Sequence, residues 1–141
     1  MGTVDDELAI RNVLARLAQL ADAGDVDAYV ALMTDDVVWE MPDNPTIGLA
    51  GSIRRGHDEI AAGARARIAA GHQGPGSATL HWVGTIAVSF DGPGAATAGS
   101  CFQFFTTTDS APTLTTVGRY ADRFRKVDGS WLLAHRTITM G

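Results

Sequence analysis

The C-terminal half of the sequence is punctuated three times by hairpin chemistry, at Asp91-Gly92-Pro93-Gly94, at Asp109-Ser110-Ala111-Pro112 and at Val127-Asp128-Gly129. Turn residues at this spacing divide the chain into four extended stretches, about Ala78 to Phe90, Ala95 to Thr108, Leu114 to Lys126 and Ser130 to Met140, each rich in β-branched and aromatic residues. Short connectors of this kind pair consecutive strands antiparallel. The chain is therefore expected to end in a meander of four long strands.

The N-terminal half follows a different period. From about Asp6 to about Asp22, Ile10, Val13, Leu14, Leu17, Leu20 and Ala21 recur at the three-and-four spacing of an amphipathic helix, with acids in its first turn. Gly24 stops that helix and Asp25 caps a second, short one carrying Val26, Tyr29, Val30, Leu32 and Met33. Thr34-Asp35-Asp36 breaks the pattern, Val37 to Trp39 reads as a short β segment, and Met41-Pro42-Asp43-Asn44-Pro45 is a loop fit to rim a pocket. After Gly56, Asp58 and Glu59 open a third helix that runs to Ala70. Helices first and a meander second make an α+β domain, about three helices packed on a strongly curved, mostly antiparallel sheet. Such a sheet curls into a cone-shaped barrel around a closed-end pocket. With no repeat and no linker, residues 1–141 are expected to form one domain.

Composition narrows the function. The chain is long enough to bury a core without disulfides, and its apolar stretches are too broken to span a bilayer, so a soluble protein without membrane contact is expected. The acidic N-terminus is unlike a secretory signal, which makes the cytoplasm the expected location. A net charge of −5 argues against nucleic acid, whose phosphates need a basic patch. Arg54, Arg55, Arg65 and Arg67 form a local exception. Arg65 and Arg67, two apart on a helix, do not share a face and read as solvated. Cys101 lies among Phe102, Phe104 and Phe105 and reads as buried. The spacings His-x-x-x-His and Cys-x-x-Cys are absent, as is any glycine-rich phosphate loop, so neither metal nor cofactor is implied.

Several residues stand out for chemistry. Asp22 puts a carboxylate at the negative end of a helix dipole, at a cost of about 0.3–1 kcal/mol, so it is either solvated in a turn or compensated by a partner. On the first long strand Leu80, Trp82, Ile86, Val88 and Phe90 alternate with His81, Val83, Thr85, Ala87 and Ser89, placing His81 on the more polar face. That face suits a pocket lining or a half-exposed sheet. Arg136 shares a face with Leu132, Ala134 and Ile138, where a cation needs an anionic partner or an exit to water. Asp122, on one face with Tyr120 and Phe124, is first of all a partner for an arginine. Tyr29, Tyr120 and Trp39 are further donors, and Trp39 beside the proline loop can wall a pocket.

Taken in order, several strings resemble the nuclear-transport-factor-two-like superfamily and, within it, the SnoaL-like group. They are Leu20-Ala21-Asp22 with Gly24-Asp25 and Tyr29, Leu32-Met33-Thr34-Asp35-Asp36-Val37-Val38-Trp39, Gly56 with Ile60, and Gly118-Arg119-Tyr120-Ala121-Asp122 running to Asp128-Gly129-Ser130-Trp131. The resemblance spans nearly the whole chain and is greatest to scytalone dehydratase, the lindane dehydrochlorinase and bile-acid dehydratases. It implies that Asp22 and His81 form an Asp-His pair and that Arg136 lies beside the reacting group. Leu17 stands where the dehydrochlorinase has a lysine, which argues against dehydrochlorination. Glu40 and Met41 stand near the position of the steroid isomerases' first acid, which disfavours that activity, although Asp122 resembles their second.

The expected function is a cofactor-independent, dehydratase-like lyase or an isomerase acting on an apolar, cyclic small molecule. His81 would be the base, Asp22 its orienter and Arg136 or a tyrosine the electrophile, with Tyr29, Trp39, Tyr120 and Asp122 in the substrate site. The alternative is a non-catalytic protein of the same fold that binds a small molecule or a partner. A sheet face bearing Trp82, Ile86, Val88 and Phe90 calls for a cover, and a homodimer through the sheet is expected.

Overall fold

A computed structural model describes residues 2–141. Helix α1 (Val4–Ala23) begins at a capping box, in which Thr3 Oγ1 accepts from the Asp6 N–H and the Thr3 N–H donates to the Asp6 carboxylate at 3.0 Å. It ends at Gly24, whose left-handed backbone lets its N–H return to the carbonyls of Leu20 and Ala21. The chain turns sharply into α2 (Val26–Ala31), capped by the Asp25 carboxylate. Strand β1 (Met33–Met41) follows, then one 3-10 turn (Pro45–Ile47), β2 (Ser52–Arg55), α3 (Gly56–Ala69), β3 (Leu80–Phe90), β4 (Ala95–Thr106), β5 (Thr113–Val127) and β6 (Ser130–Met140).

The three expected helices and four long strands are present, and β3 to β6 form the expected antiparallel meander. Two features of the sheet differ. The second helix stops at Ala31, so that the β segment expected at Val37–Trp39 grows into β1, and Ser52–Arg55 forms a further strand. With its single internal apolar residue, Ile53, exposed, β2 carries no alternation a sequence could show. The sheet thus has six strands in the order β2-β1-β6-β5-β4-β3, every neighbouring pair antiparallel except β1 with β6. It is curved and unclosed, with β2 and β3 at its edges.

The second difference lies in the β-bulges, two of which change the faces expected from the sequence. Between Gly84 and Ala87, β3 spends one residue more than β4 spends between Cys101 and Gly99, and Thr85 takes a positive φ of 50° there. An extra residue exchanges the faces of everything beyond it. His81 and Val83 face the helices on one side of the bulge, and Ile86, Val88 and Phe90 pack against the core on the other. The expected outer face of Trp82, Ile86, Val88 and Phe90 is therefore corrected: of the four only Trp82 is an exposed residue, at 64%. Trp131 is core, 5.9 Å edge-on from Phe90. A second bulge lies in β6, where Arg123 pairs with His135 but Phe124 with Leu133. It breaks the expected face of Leu132, Ala134, Arg136 and Ile138. The buried set is Trp131, Leu133, Arg136 and Ile138.

The core lies between the concave face and the helices. Ile10, Leu14 and Leu17 of α1 and Ile60 of α3 meet Val37, Phe124 and Leu133 of the sheet, all essentially removed from water. Asp6 links the two layers, since its carboxylate also accepts from the Trp131 indole at 2.9 Å and from Lys126 at 3.1 Å. These donors, the indole foremost, hold its pKa far below the usual carboxylate range. A carboxylate depressed in the folded state stabilises the protein above its unfolded pKa, near about 4, and that stabilisation fades as pH falls toward the folded value. Asp36, lowered to about 2 chiefly by its hydrogen bond from Arg125, acts in the same window. Asp6→Asn should lower the urea midpoint at pH 7 and flatten its decline between about pH 4 and pH 2. An unaltered acid limb in the variant would show that the link contributes nothing.

Candidate functional site

The last turn of α1 and the first residues of β3 meet at Asp22. Its carboxylate accepts the His81 backbone N–H at 3.2 and 3.1 Å, one bond to each oxygen, and Oδ1 lies 2.7 Å from His81 Nδ1. Both side chains are mostly buried. The compensation that a carboxylate at a helix C-terminus calls for is thus supplied from the sheet. An ionised carboxylate can only accept, so this contact favours Nδ1 as the donor, which in a neutral ring leaves Nε2 as the acceptor nitrogen. Phe104, 4.8 Å away between ring centroids, packs against the imidazole.

Arg136 stands on β6. Its Nε and Nη2 donate to Asp122 Oδ1 and Oδ2 at 2.8 and 2.9 Å, a bidentate pair between neighbouring strands with both side chains removed from solvent. Burial opposes the guanidinium charge, but Asp122 outweighs it and Arg136 titrates above its ordinary range. The Tyr120 ring lies 3.7 Å from the guanidinium carbon and is stacked on Phe102. Burial pushes the Tyr120 hydroxyl pKa up, against the pull of Arg136, so the phenol stays protonated and able to donate. Phe102 reaches this position by lying over Gly118, where a Cβ would overlap its ring.

These groups line one cavity, with about 750 Å³ of space between the atoms when its open mouth is included. His81, Tyr29, Trp39, Tyr120 and Arg136 contribute to its wall, while Asp22 and Asp122 stand behind His81 and Arg136. The proline loop reaches the wall through Asn44, Ile47 and Leu49. Leu14, Leu17 and Phe104 give it an apolar floor.

A model of the SnoaL-like domain matches residues 2–137. The chain belongs to the SnoaL-like family. Solved structures agree on the fold of this SnoaL-like domain. Rv3472 from Mycobacterium tuberculosis, a protein of unknown function, is 21% identical with a TM-score of 0.81, over 99% of this chain and 78% of that one. A candidate scytalone dehydratase from Novosphingobium aromaticivorans is 20% identical with a TM-score of 0.76, over 98% and 85% of the two chains. The beta subunit of a candidate aromatic-ring-hydroxylating dioxygenase from the same organism is 19% identical with a TM-score of 0.73, over 94% and 86%. Identities at this level show a shared fold, and the fold hosts more than one activity. No curated protein matches the sequence.

Two titratable wall residues of the SnoaL-like domain, Arg67 and His72, were not found by sequence reasoning. Arg65 meets the expectation of a solvated helix face, 60% exposed and 3.2 Å from Asp27. Arg67 does not, for it turns into the cavity, with its guanidinium carbon 4.8 Å from the centre of the Trp39 ring and Nε donating to Gln73 Oε1 at 3.2 Å. The signal lay in the period: Ile60 and Ala64 are buried, and Arg67 continues their stripe at the seventh position. His72, unassigned from the sequence, also reaches the wall.

The buried pair sets a testable cost. Asp122→Ala should lower stability by about 3–5 kcal/mol, because it leaves Arg136 charged and unpartnered. Replacing both residues, as in Asp122→Leu with Arg136→Met, should recover most of that loss in urea denaturation. A loss below about 1 kcal/mol for Asp122→Ala would mean that water solvates the pair.

Proposed function

We propose that this SnoaL-like domain is a cofactor-independent lyase of the dehydratase kind, or an isomerase, and that it abstracts a proton from an apolar cyclic substrate held in the cavity. The observation that carries this reading is the contact of Asp22 with both the backbone and Nδ1 of His81 at the edge of that cavity. A carboxylate on Nδ1 fixes the tautomer, keeps the ring from rotating and stabilises the imidazolium formed when Nε2 takes a proton. Asp22 is then a positioning residue and His81 the base.

Removing a proton next to a carbonyl leaves an enolate, and expelling a β-hydroxyl needs a donor for the departing oxygen. Tyr120, held protonated over Arg136, is a candidate donor, as are Tyr29 of α2 and Trp39, the cross-strand neighbour of Arg136 on β1. Arg136, already neutralised by Asp122, contributes as a fixed dipole and as the support of Tyr120 rather than as a free charge. Dehydration and isomerisation share the first step. They differ in whether the carbanion expels a group or is reprotonated elsewhere.

The test follows that shared step. Nitrogen-15 NMR of His81 should show the Nδ1–H tautomer in the neutral ring, and Asp22→Asn should abolish the preference. In deuterated water the protein should exchange the α-protons of cyclic ketones, and both His81→Ala and Asp22→Asn should slow that exchange by about 10²-fold or more. An Nε2–H tautomer together with no exchange would sink the enzymatic reading and leave a ligand-binding protein of the same fold.

We also propose a homodimer through the outer face of the sheet. Two cross-strand rows support it, Leu80-Phe105-Leu114 and Trp82-Gln103-Val117, which hold four of the exposed large apolar side chains side by side. Trp82→Glu should shift the sedimentation profile from dimer to monomer. A monomeric wild type would remove this proposal and leave the cavity chemistry untouched.

A further inference from the structure

The charges around the cavity do not balance. Its wall carries Arg67, Arg136, His72 and His81 and, among the described residues, no aspartate or glutamate. The two carboxylates just behind it are already committed, Asp22 to His81 and Asp122 to Arg136. Arg67 has no carboxylate within ion-pair distance among the described residues, although the chain carries 16 acidic residues against 11 basic ones. Its one hydrogen bond runs from Nε to an amide oxygen, so both terminal nitrogens of its planar fork are without a protein acceptor. Beside it the Trp39 indole N–H, buried and part of the same wall, is also without an acceptor. Donors on this wall that have no protein acceptor among the described residues are costly to shield from water unless something else accepts from them.

We propose that Arg67, with Trp39 beside it, is the recognition site for a carboxylate on the ligand, so that the cavity takes a small apolar ring acid. The planar guanidinium fork matches a carboxylate bidentately, and its seat against the indole ring fixes the fork's plane. The apolar floor of Leu14, Leu17 and Phe104 receives the ring, and the bound acid is anchored at Arg67 with its body toward His81. This rests on the cavity being the substrate site of the proposed function, and it adds the substrate's charge. It also gives Arg67 and Arg136 different tasks. Arg136 is neutralised within the protein and supports Tyr120, whereas Arg67 is neutralised by the ligand.

The experiment is binding of 2-naphthoate and its uncharged isostere 2-naphthamide to the intact protein, followed by NMR shifts of the cavity residues and by calorimetry. Naphthoate should bind the wild type at least tenfold more tightly than naphthamide. Arg67→Gln should weaken naphthoate at least tenfold while leaving naphthamide within about twofold, and Arg67→Lys should fall between Arg67→Gln and wild type. Equal affinity of the wild type for the two probes, no binding of naphthoate, or an Arg67→Gln variant that binds naphthoate as the wild type does would each overturn the assignment. The comparison of acid with amide in the wild type decides the matter even where a variant fails to fold. Neither probe is turned over, so this test can fail while the His81 tautomer and deuterium exchange succeed, and the reverse.

Discussion

The contact between Asp22 and His81 holds the helical layer to the sheet at the point where the cavity opens. A carboxylate in the last turn of α1 cannot be satisfied by its own helix, whose carbonyls point the same way. It takes instead the first free N–H of an edge strand and the imidazole on the same residue. That choice fixes where β3 begins relative to α1. It thereby fixes the depth of the cavity between Leu14 and Leu17 on one side and Phe102 and Phe104 on the other. The group read as catalytic is also part of the frame.

Across the cavity the same economy recurs with opposite polarity. Asp122 and Arg136 face each other on adjacent strands, and Tyr120 and Phe102 stack in series on the guanidinium. A buried ion pair of this kind does little for net stability against apolar replacements. Its effect is positional: a rigid cation under a tyrosine keeps the hydroxyl at a set place in the wall. Arg67, hydrogen-bonded to the Gln73 amide and seated on the Trp39 ring, has no carboxylate partner among the described residues and keeps the ends of its fork open.

The sequence makes the architecture legible because the helical period and the hairpin connectors are both local signals. Asp22, His81, Arg136 and Asp122 were marked by residue type and family pattern, and the structure brings them together in two pairs at one cavity. What could not be read was which way each strand faced along its full length. A single inserted residue at Gly84–Thr85, and another near Ala134, exchanges inside and outside midway along a strand, and neither leaves a mark in the apolar pattern. Phe90 therefore belongs to the core although it lies an even number of residues from the exposed Trp82. Arg67 went unread for a different reason, since its charge masked its place on the buried stripe of α3.

The parallel pairing of β1 with β6 bears on how the molecule is made. Every other strand pair joins neighbours in sequence, but β1 finds its inner partner almost a hundred residues later. A ribosome delivers β6 after the other five strands, so until then β1 and β2 form a hairpin with no place in the sheet, and β5 presents an open edge. Closing so long a loop is slow compared with zipping the β3-β4-β5 meander. Arg136 arrives with that last strand, and Asp122 waits for it as a carboxylate still in reach of water. Of the six strands β6 is made last, so the part of the cavity wall that Arg136 and Asp122 build together is incomplete until that strand has paired with β1 and β5.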